Sequence, residues 1–328
     1  MEKILFRLIS NFFIFIINII NMPEVVEITL TALFLNSQLA GKKITKINVL
    51  DGRYSRHPLP GLKSIKAALP LKVVKVDSKG KFMWFELKDD NNKTYYILNT
   101  FGLEGMWDFD DKKHNNVAFE ISDGKTLYFN DSRNFGTLVA TSQKKLLKNK
   151  LDNLGPDLLK EDFTDDEFHD RIKSYLFNSN MKLNKTRGDK KIIQILMDQT
   201  TPLGSGLGNY LAPEALYHAK ISPHKTLYEI YKDKSLSDKL AEAIRFVIKV
   251  SFETAEIGYL GHLTDEMDNF VKELRKNKNK YHKNTNIGNH KFKFNVYRQK
   301  VDSHGNKIKA EKDLIKGRTT YWSPTIQH

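Results

Sequence analysis

The chain has 328 residues, 40% of them hydrophobic and 28% charged, a composition that fits two globular domains and excludes a disordered or collagen-like chain. Lys and Arg outnumber Asp and Glu by 53 to 39, giving a net charge of +14 and a pI near 9.5, which directs the protein toward a polyanion, nucleic acid before membrane. There is no cysteine, which excludes disulfides and cysteine-ligated zinc and agrees with an intracellular setting, and the ten histidines show no close metal-ligand spacing. A lysine-rich surface from codon bias would spread the excess charge along the chain. Instead Asn277–His328 carries twelve Lys and Arg against three acids, among aromatics.

Residues 1–21 differ from the rest of the chain. Leu8–Asn21 is an uncharged run of 14 residues, short for a membrane span and without a small-residue cleavage site. It reads as an extension absent from the working protein, with a poor signal anchor as the alternative. Met22-Pro23-Glu24-Val25-Val26-Glu27 then opens an amphipathic helix, with Val25, Ile28, Ala32, Leu35 and Leu39 on one face and Gly41 as the stop. Pro23 fits a plain helix-starting proline. It also has a chemical reading: if Met22 is the start and is removed, Pro23 carries a free secondary amine with a pKa near 8, roughly 10–20% neutral at pH 7. Condensation of that amine with an aldehydic sugar carbon gives a cationic iminium, a strong electron sink. Glu24 and Glu27 share its helical turn and can move protons beside it, although acids there also complement the helix dipole.

Short strand patterns come next at 44–49, 72–76, 82–87, 94–98, 117–121, 126–129 and 137–140, with hairpin turns at Asp89-Asp90-Asn91-Asn92 and Ser122-Asp123-Gly124-Lys125. Seven short strands at this spacing predict an antiparallel sandwich or barrel. Asn153-Leu154-Gly155-Pro156-Asp157 is a turn cluster that separates this β-rich half from a helical one. Helices are predicted at 165–178, 192–197 and 237–257, the last a scaffold with Phe246, Val250 and Ile257 as core candidates. Between the first pair and the third, the glycine-rich turn Gly204-Ser205-Gly206-Leu207-Gly208 leads to a helix opened by Asn209, whose backbone amides and dipole suit an anion. A polar, basic and mobile loop is expected at 276–289. Two alternating arms, 292–300 and 309–322, are predicted to form a hairpin around Asp302-Ser303-His304-Gly305-Asn306.

These motifs, in this order, resemble the formamidopyrimidine-DNA glycosylase and endonuclease VIII family. Met22–Glu27 is similar to its opening Met-Pro-Glu-Gly/Leu-Pro-Glu-Val, departing at Val26 where a second proline is usual. Lys79-Gly80-Lys81-Phe82 resembles Arg-Gly-Lys-Tyr; Phe101-Gly102-Leu103-Glu104-Gly105 resembles His-Leu-Gly-Met-Ser/Thr-Gly; Asp131-Ser132-Arg133-Asn134-Phe135-Gly136 resembles Asp-Pro-Arg-Arg-Phe-Gly. Gly206–Pro223 resembles the helix-two-turn-helix. Gly317–Gln327 resembles the zinc-finger end, but Ser323 and Ile326 stand at its cysteine positions, as in the zincless finger of vertebrate and mimivirus-type endonuclease VIII-like proteins.

The resemblance implies an α+β, two-domain fold: an extension at 1–21, a catalytic β-sandwich at 22–150 led by the proline helix, a linker at 151–160, a helix-two-turn-helix at 161–290 and a zincless finger at 291–328. It implies a bifunctional glycosylase/AP lyase that flips out oxidised bases and excises them through a Pro23 Schiff base with β,δ-elimination. Catalysis falls to Pro23, Glu24, Glu27 and Lys81. Asn209 and Arg318 grip phosphates, while Leu103, Arg133 and Phe135 fill the void and meet the orphan base. The partner is damaged DNA, duplex or single-stranded; the protein is a monomer, with no metal, no cofactor and no membrane for the active form. The alternatives are a non-catalytic DNA lesion sensor with Pro23 blocked by residues 1–21, and a membrane-tethered form of either.

Overall fold

The structure is a computed structural model that describes residues 22–257, 263–276 and 280–328. The extension at 1–21 and part of the expected 276–289 loop lie outside the described residues. Helix α1 spans Val25–Leu39, as the apolar spacing predicts, and its face of Val25, Ile28, Leu35 and Leu39 is buried. Gly41, at φ +87°, reverses the chain and donates its N–H to Val73 O at 2.9 Å. That conformation favours glycine because a Cβ would crowd the backbone.

Eight strands come after it: β1 Lys43–Val49, β2 Leu71–Lys79, β3 Phe82–Lys88, β4 Thr94–Thr100, β5 Met106–Asp108, β6 Asn115–Ile121, β7 Thr126–Asn130 and β8 Thr137–Thr141. They form one antiparallel sheet in the order β5-β7-β6-β1-β2-β3-β4-β8. The sheet folds over on itself. Trp107 of β5 meets Phe85 of β3 edge-on with ring centroids 5.1 Å apart, and its indole N–H donates to Asn99 Oδ1 of β4 at 3.0 Å. Strands remote in the sheet order therefore face one another across an aromatic core with Phe119 and Phe129, where truncating one ring costs about 3–5 kcal/mol. Strand β5 escaped prediction because three residues carry too little alternation. So did the short helices α2 Arg53–Arg56, α3 Leu62–Ala67 and α4 Lys144–Asp152.

The second half is helical: α5 Asp165–Leu176, α6 Lys185–Gly188, α7 Ile192–Met197, α8 Leu211–Ala219, α9 Leu227–Lys232, α10 Lys234–Thr254 and α11 Asp265–Lys276. Thr164 and Glu167 box the start of α5: Glu167 N–H donates to Thr164 Oγ1 at 3.2 Å and Thr164 N–H to Glu167 Oε2 at 2.7 Å. Helix α10 begins three residues before the predicted start because Asp233 Oδ1 caps it, accepting from Ser235 N–H at 3.0 Å. Helix α11 was not anticipated. It bridges the halves: Phe270 packs edge-on against Phe34 of α1 at 5.6 Å, and Arg275 donates to Phe252 O in the last turn of α10 at 2.8 Å and to Ala255 O just past it at 2.7 Å. Among the described residues no helix is long and apolar enough to cross a membrane.

The residues after α11 take no regular structure over 280–289 but are tied down. Buried Lys249 of α10 donates to His282 O at 2.9 Å and Thr285 O at 2.7 Å, and the His282 ring bonds Leu158 O at 2.7 Å. The hairpin differs from expectation in its arms. Strands β9 Lys309–Lys312 and β10 Thr319–Trp322 pair with each other, while 302–306 closes a single Val301–Lys307 bridge. The 292–300 arm is no strand, because buried Glu214 of α8 accepts the N–H groups of Asn295, Val296 and Tyr297 at 2.9–3.0 Å, taking donors a ladder would need.

Candidate active site

Glu24 and Glu27 lie at the mouth of α1, both buried. A buried carboxylate needs donors, and the glycine-rich turn provides them from the other half of the chain. Tyr210 N–H donates to Glu24 Oε1 at 2.9 Å and Leu211 N–H to Glu24 Oε2 at 3.3 Å, so this carboxyl group sits on the N-terminus of α8. Two glycines allow the approach. A Cβ on Gly206, at φ +124°, would lie 2.6 Å from Val25 Cβ; one on Gly208 would lie 2.1 Å from Lys81 Nζ and 2.5 Å from Glu24 Oε1. The same numbers place Lys81 and Glu24 against one another.

Burial raises the Glu24 pKa above the usual carboxylate value, opposed by the Lys81 charge and the amides of Tyr210, Leu211 and Gly208. Glu27 is pushed up to about 8 by burial and then by the Glu24 charge. The Tyr210 hydroxyl donates to Glu27 Oε1 at 2.8 Å and Oε2 at 2.9 Å, and Glu27 Oε2 accepts Glu24 N–H at 3.1 Å. Burial lowers the Lys81 pKa, with Glu24 pulling it back up and Arg318 adding to the depression. The arrangement is a pair of carboxyl groups in one pocket, both held above the usual carboxylate range, beside an amine eased toward its neutral form, which is equipment for moving protons.

Lys81 owes its place to the turn between β2 and β3. Gly80 N–H donates to Asp157 Oδ2 at 2.9 Å, and a Cβ on Gly80 would meet Ser205 Oγ at 2.5 Å. The linker thus clamps the Lys81 turn beneath the glycine-rich loop. On the other side Arg318, from the turn joining β9 and β10, donates to Asn209 Oδ1 at 2.9 Å. Sequence reasoning marks both as phosphate ligands; the structure brings them together as a side-chain pair.

Leu103, Arg133 and Phe135 form a second cluster on two touching loops. A Cβ on Gly102 would lie 2.5 Å from Gly136 N. Asp131 shapes the outer loop, its Oδ2 accepting Gly136 N–H at 2.6 Å and its Oδ1 accepting Arg133 N–H at 3.2 Å and Asn134 N–H at 3.1 Å. Phe135 is 59% exposed, an unusual cost for a large aromatic. Asn134 stands at φ +61°, which asparagine tolerates better than arginine, and its Oδ1 accepts from Arg53 N–H and Asn116 Nδ2, both at 2.8 Å. Its side chain is committed to the fold.

Two family models match, the formamidopyrimidine-DNA glycosylase N-terminal domain over residues 22–138 and the C-terminal domain of the same family over 283–328. Both stretches match the formamidopyrimidine-DNA glycosylase family. The glycosylase of Pelotomaculum thermopropionicum is 29% identical over 313 residues, covering 93% of this chain and 99% of its own. That of Lactococcus lactis subsp. cremoris is 28% identical over 268 residues, covering 76% and 89%. Among solved structures, MutM in complex with DNA containing carbocyclic 8-oxo-G superposes with a TM-score of 0.68 at 22% identity, covering 93% of this chain and 100% of that one. Thermus thermophilus MutM superposes at 0.67 and 22%, covering 93% and 98%; these likenesses concern the fold. Sequence reasoning missed Gly208, Tyr210 and Asp157 as builders of the site. All three stand in recognisable turn motifs, but their roles are contacts across the domain junction, Tyr210 and Glu24 being 186 positions apart in the chain.

Proposed function

We propose that this chain is a base-excision DNA glycosylase with AP lyase activity, acting through the Pro23 amine. The observation that carries the reading is Glu24: next to Pro23 in the chain, buried, and held between Lys81 and the N-terminus of α8. The Pro23 nitrogen attacks the sugar C1′ as the C1′–base bond breaks and its electrons leave with the base. The nitrogen's proton passes to Glu24 and on to the ring oxygen, opening the sugar to a C1′ iminium. The iminium acidifies C2′; loss of that proton expels the 3′ phosphate, and a second elimination expels the 5′ phosphate. Lys81, Asn209 and Arg318 bind phosphates, and Leu103, Arg133 and Phe135 occupy the space the flipped nucleotide vacates. The mechanism requires a free Pro23 nitrogen, so the active form begins at Pro23; with Ser323 and Ile326 at the cysteine positions of the resembled motif, the finger works without zinc.

The test is borohydride trapping on an abasic-site duplex, comparing protein begun at Pro23 with the 328-residue form. A covalent adduct from the shorter form, absent from the longer one, is expected. No adduct from either form would leave a non-catalytic lesion-binding protein as the better reading.

A further inference from the structure

Arg133 is exposed, and it is held from below by a residue that the sequence motifs leave without a role. Glu104 Oε1 lies 2.7 Å from Arg133 Nε, and Glu104 Oε2 accepts the Ser132 hydroxyl. The Arg133 contact is an ion pair rather than an aligned hydrogen bond. The Glu104 side chain is 14% exposed against 47% for Arg133, so the acid sits under the loop and the cation rides above it. The Glu104 carboxylate lies against the Nε side of the guanidinium, and the terminal nitrogens carry four of its five N–H groups. The resembled motif has Ser or Thr at position 104, which brings no charge.

Elementary electrostatics distinguishes this arginine from an unanchored one. A free arginine on a loop swings among rotamers and goes to the nearest phosphate, which carries no sequence information. An arginine anchored at Nε presents its terminal fork in a restricted orientation, and the neighbouring carboxylate offsets its positive charge and weakens the pull of phosphate. What remains attractive is a neutral edge that accepts two hydrogen bonds. The Watson–Crick edges differ in that respect: cytosine sets acceptors O2 and N3 side by side, whereas guanine sets donors N1–H and N2–H there.

We infer that Glu104 is a specificity-determining positioning residue, which commits Arg133 to the edge of the orphan base and so makes binding depend on the base opposite the lesion. The inference rests on the proposed reading of Arg133 as the orphan-base contact. Glu104 acts through Arg133 and touches no DNA itself.

The experiment measures binding of the full chain, by fluorescence anisotropy at fixed salt, to duplexes with a tetrahydrofuran abasic analogue opposite each of the four bases. The wild-type Kd for orphan guanine should exceed that for orphan cytosine at least tenfold. Glu104→Gln should cut that ratio at least fivefold, and Glu104→Asp, which keeps the charge, should restore at least half of the loss on a logarithmic scale. In an Arg133→Ala background the Gln substitution should have no further effect on the ratio. An unchanged ratio in a Glu104→Gln protein with a wild-type melting temperature would overturn the inference. So would a wild type that does not discriminate, or an equal loss with and without Arg133. The analogue carries no base to release and cannot form an iminium, so a failure of borohydride trapping leaves this measurement standing; a ratio unchanged in Glu104→Gln sinks only the role of Glu104.

Discussion

Glu27 retains a proton at neutral pH, because burial and the adjacent Glu24 charge hold its pKa near 8. An unfolded chain would release that proton near 4.5. The folded protein therefore binds more protons than the unfolded one between those values, and the stabilisation linked to Glu27 is full below about 4.5 and is lost as pH rises through about 8. Glu24 moves the same way, so the isolating variant is Glu27→Gln, which removes one titration and keeps an acceptor for the Tyr210 hydroxyl. The difference in unfolding free energy, wild type minus variant, should fall across pH 5 to 8 with a slope approaching about 1.4 kcal/mol per unit. Urea denaturation at four pH values checks it; parallel curves would mean that Glu27 titrates normally. At this scale the site was half legible. Pro23, Glu24 and Glu27 were visible because they are neighbours in one motif, whereas the Tyr210 bond to Glu27 joins residues 183 apart and leaves no local mark.

At the scale of elements, legibility followed length and competition for hydrogen bonds. Helix α1 and the long strands have enough residues to show their period; β5 does not. The finger arms were misassigned because the sequence of 292–300 alternates like a strand, while Glu214 on a distant helix claims its amides. The finger is secured by side chains. Asp302 Oδ1 accepts the N–H groups of His304 and Asn306, both at 2.9 Å, and Asp302 Oδ2 accepts the Ser323 hydroxyl at 3.3 Å, linking the 302–306 turn to the end of β10. Gln327 adds a second tie, accepting Ser323 N–H at 2.8 Å and donating to Ile221 O at 3.0 Å. Asp302→Ala leaves those amides without a charged acceptor, about 1–3 kcal/mol, and should lower the melting temperature by several degrees. EDTA should leave the melting temperature of the wild type unchanged, since Ser323 and Ile326 occupy the cysteine positions of the resembled finger. Differential scanning calorimetry reads both; a chelator-dependent shift would contradict the hydrogen-bonded finger.

Across the whole molecule, the site exists only where the halves meet. Glu24 and Lys81 come from the sheet domain, Gly208 to Leu211 from the helical part, and Arg318 from the finger turn, so the finger's cation reaches the proposed catalytic groups through Asn209. Arg318 also depresses the Lys81 pKa, as expected of two cations gathered to receive one anion. With a net charge of +14 the protein should bind DNA with a strong salt dependence, log K falling linearly with log salt at about 0.9 per phosphate neutralised. On the proposed phosphate role of Arg318, Arg318→Ala removes one such contact. It should weaken binding to damaged and undamaged duplexes by similar factors and reduce the magnitude of the salt slope by about 1, because a phosphate contact carries charge but no base information. The measurement is a Kd series from 50 to 200 mM salt on duplexes with and without an abasic analogue. A slope that stays at the wild-type value while affinity drops would show that Arg318 acts by holding Asn209 in place, and the phosphate role would then fall to Lys81 and Asn209 alone.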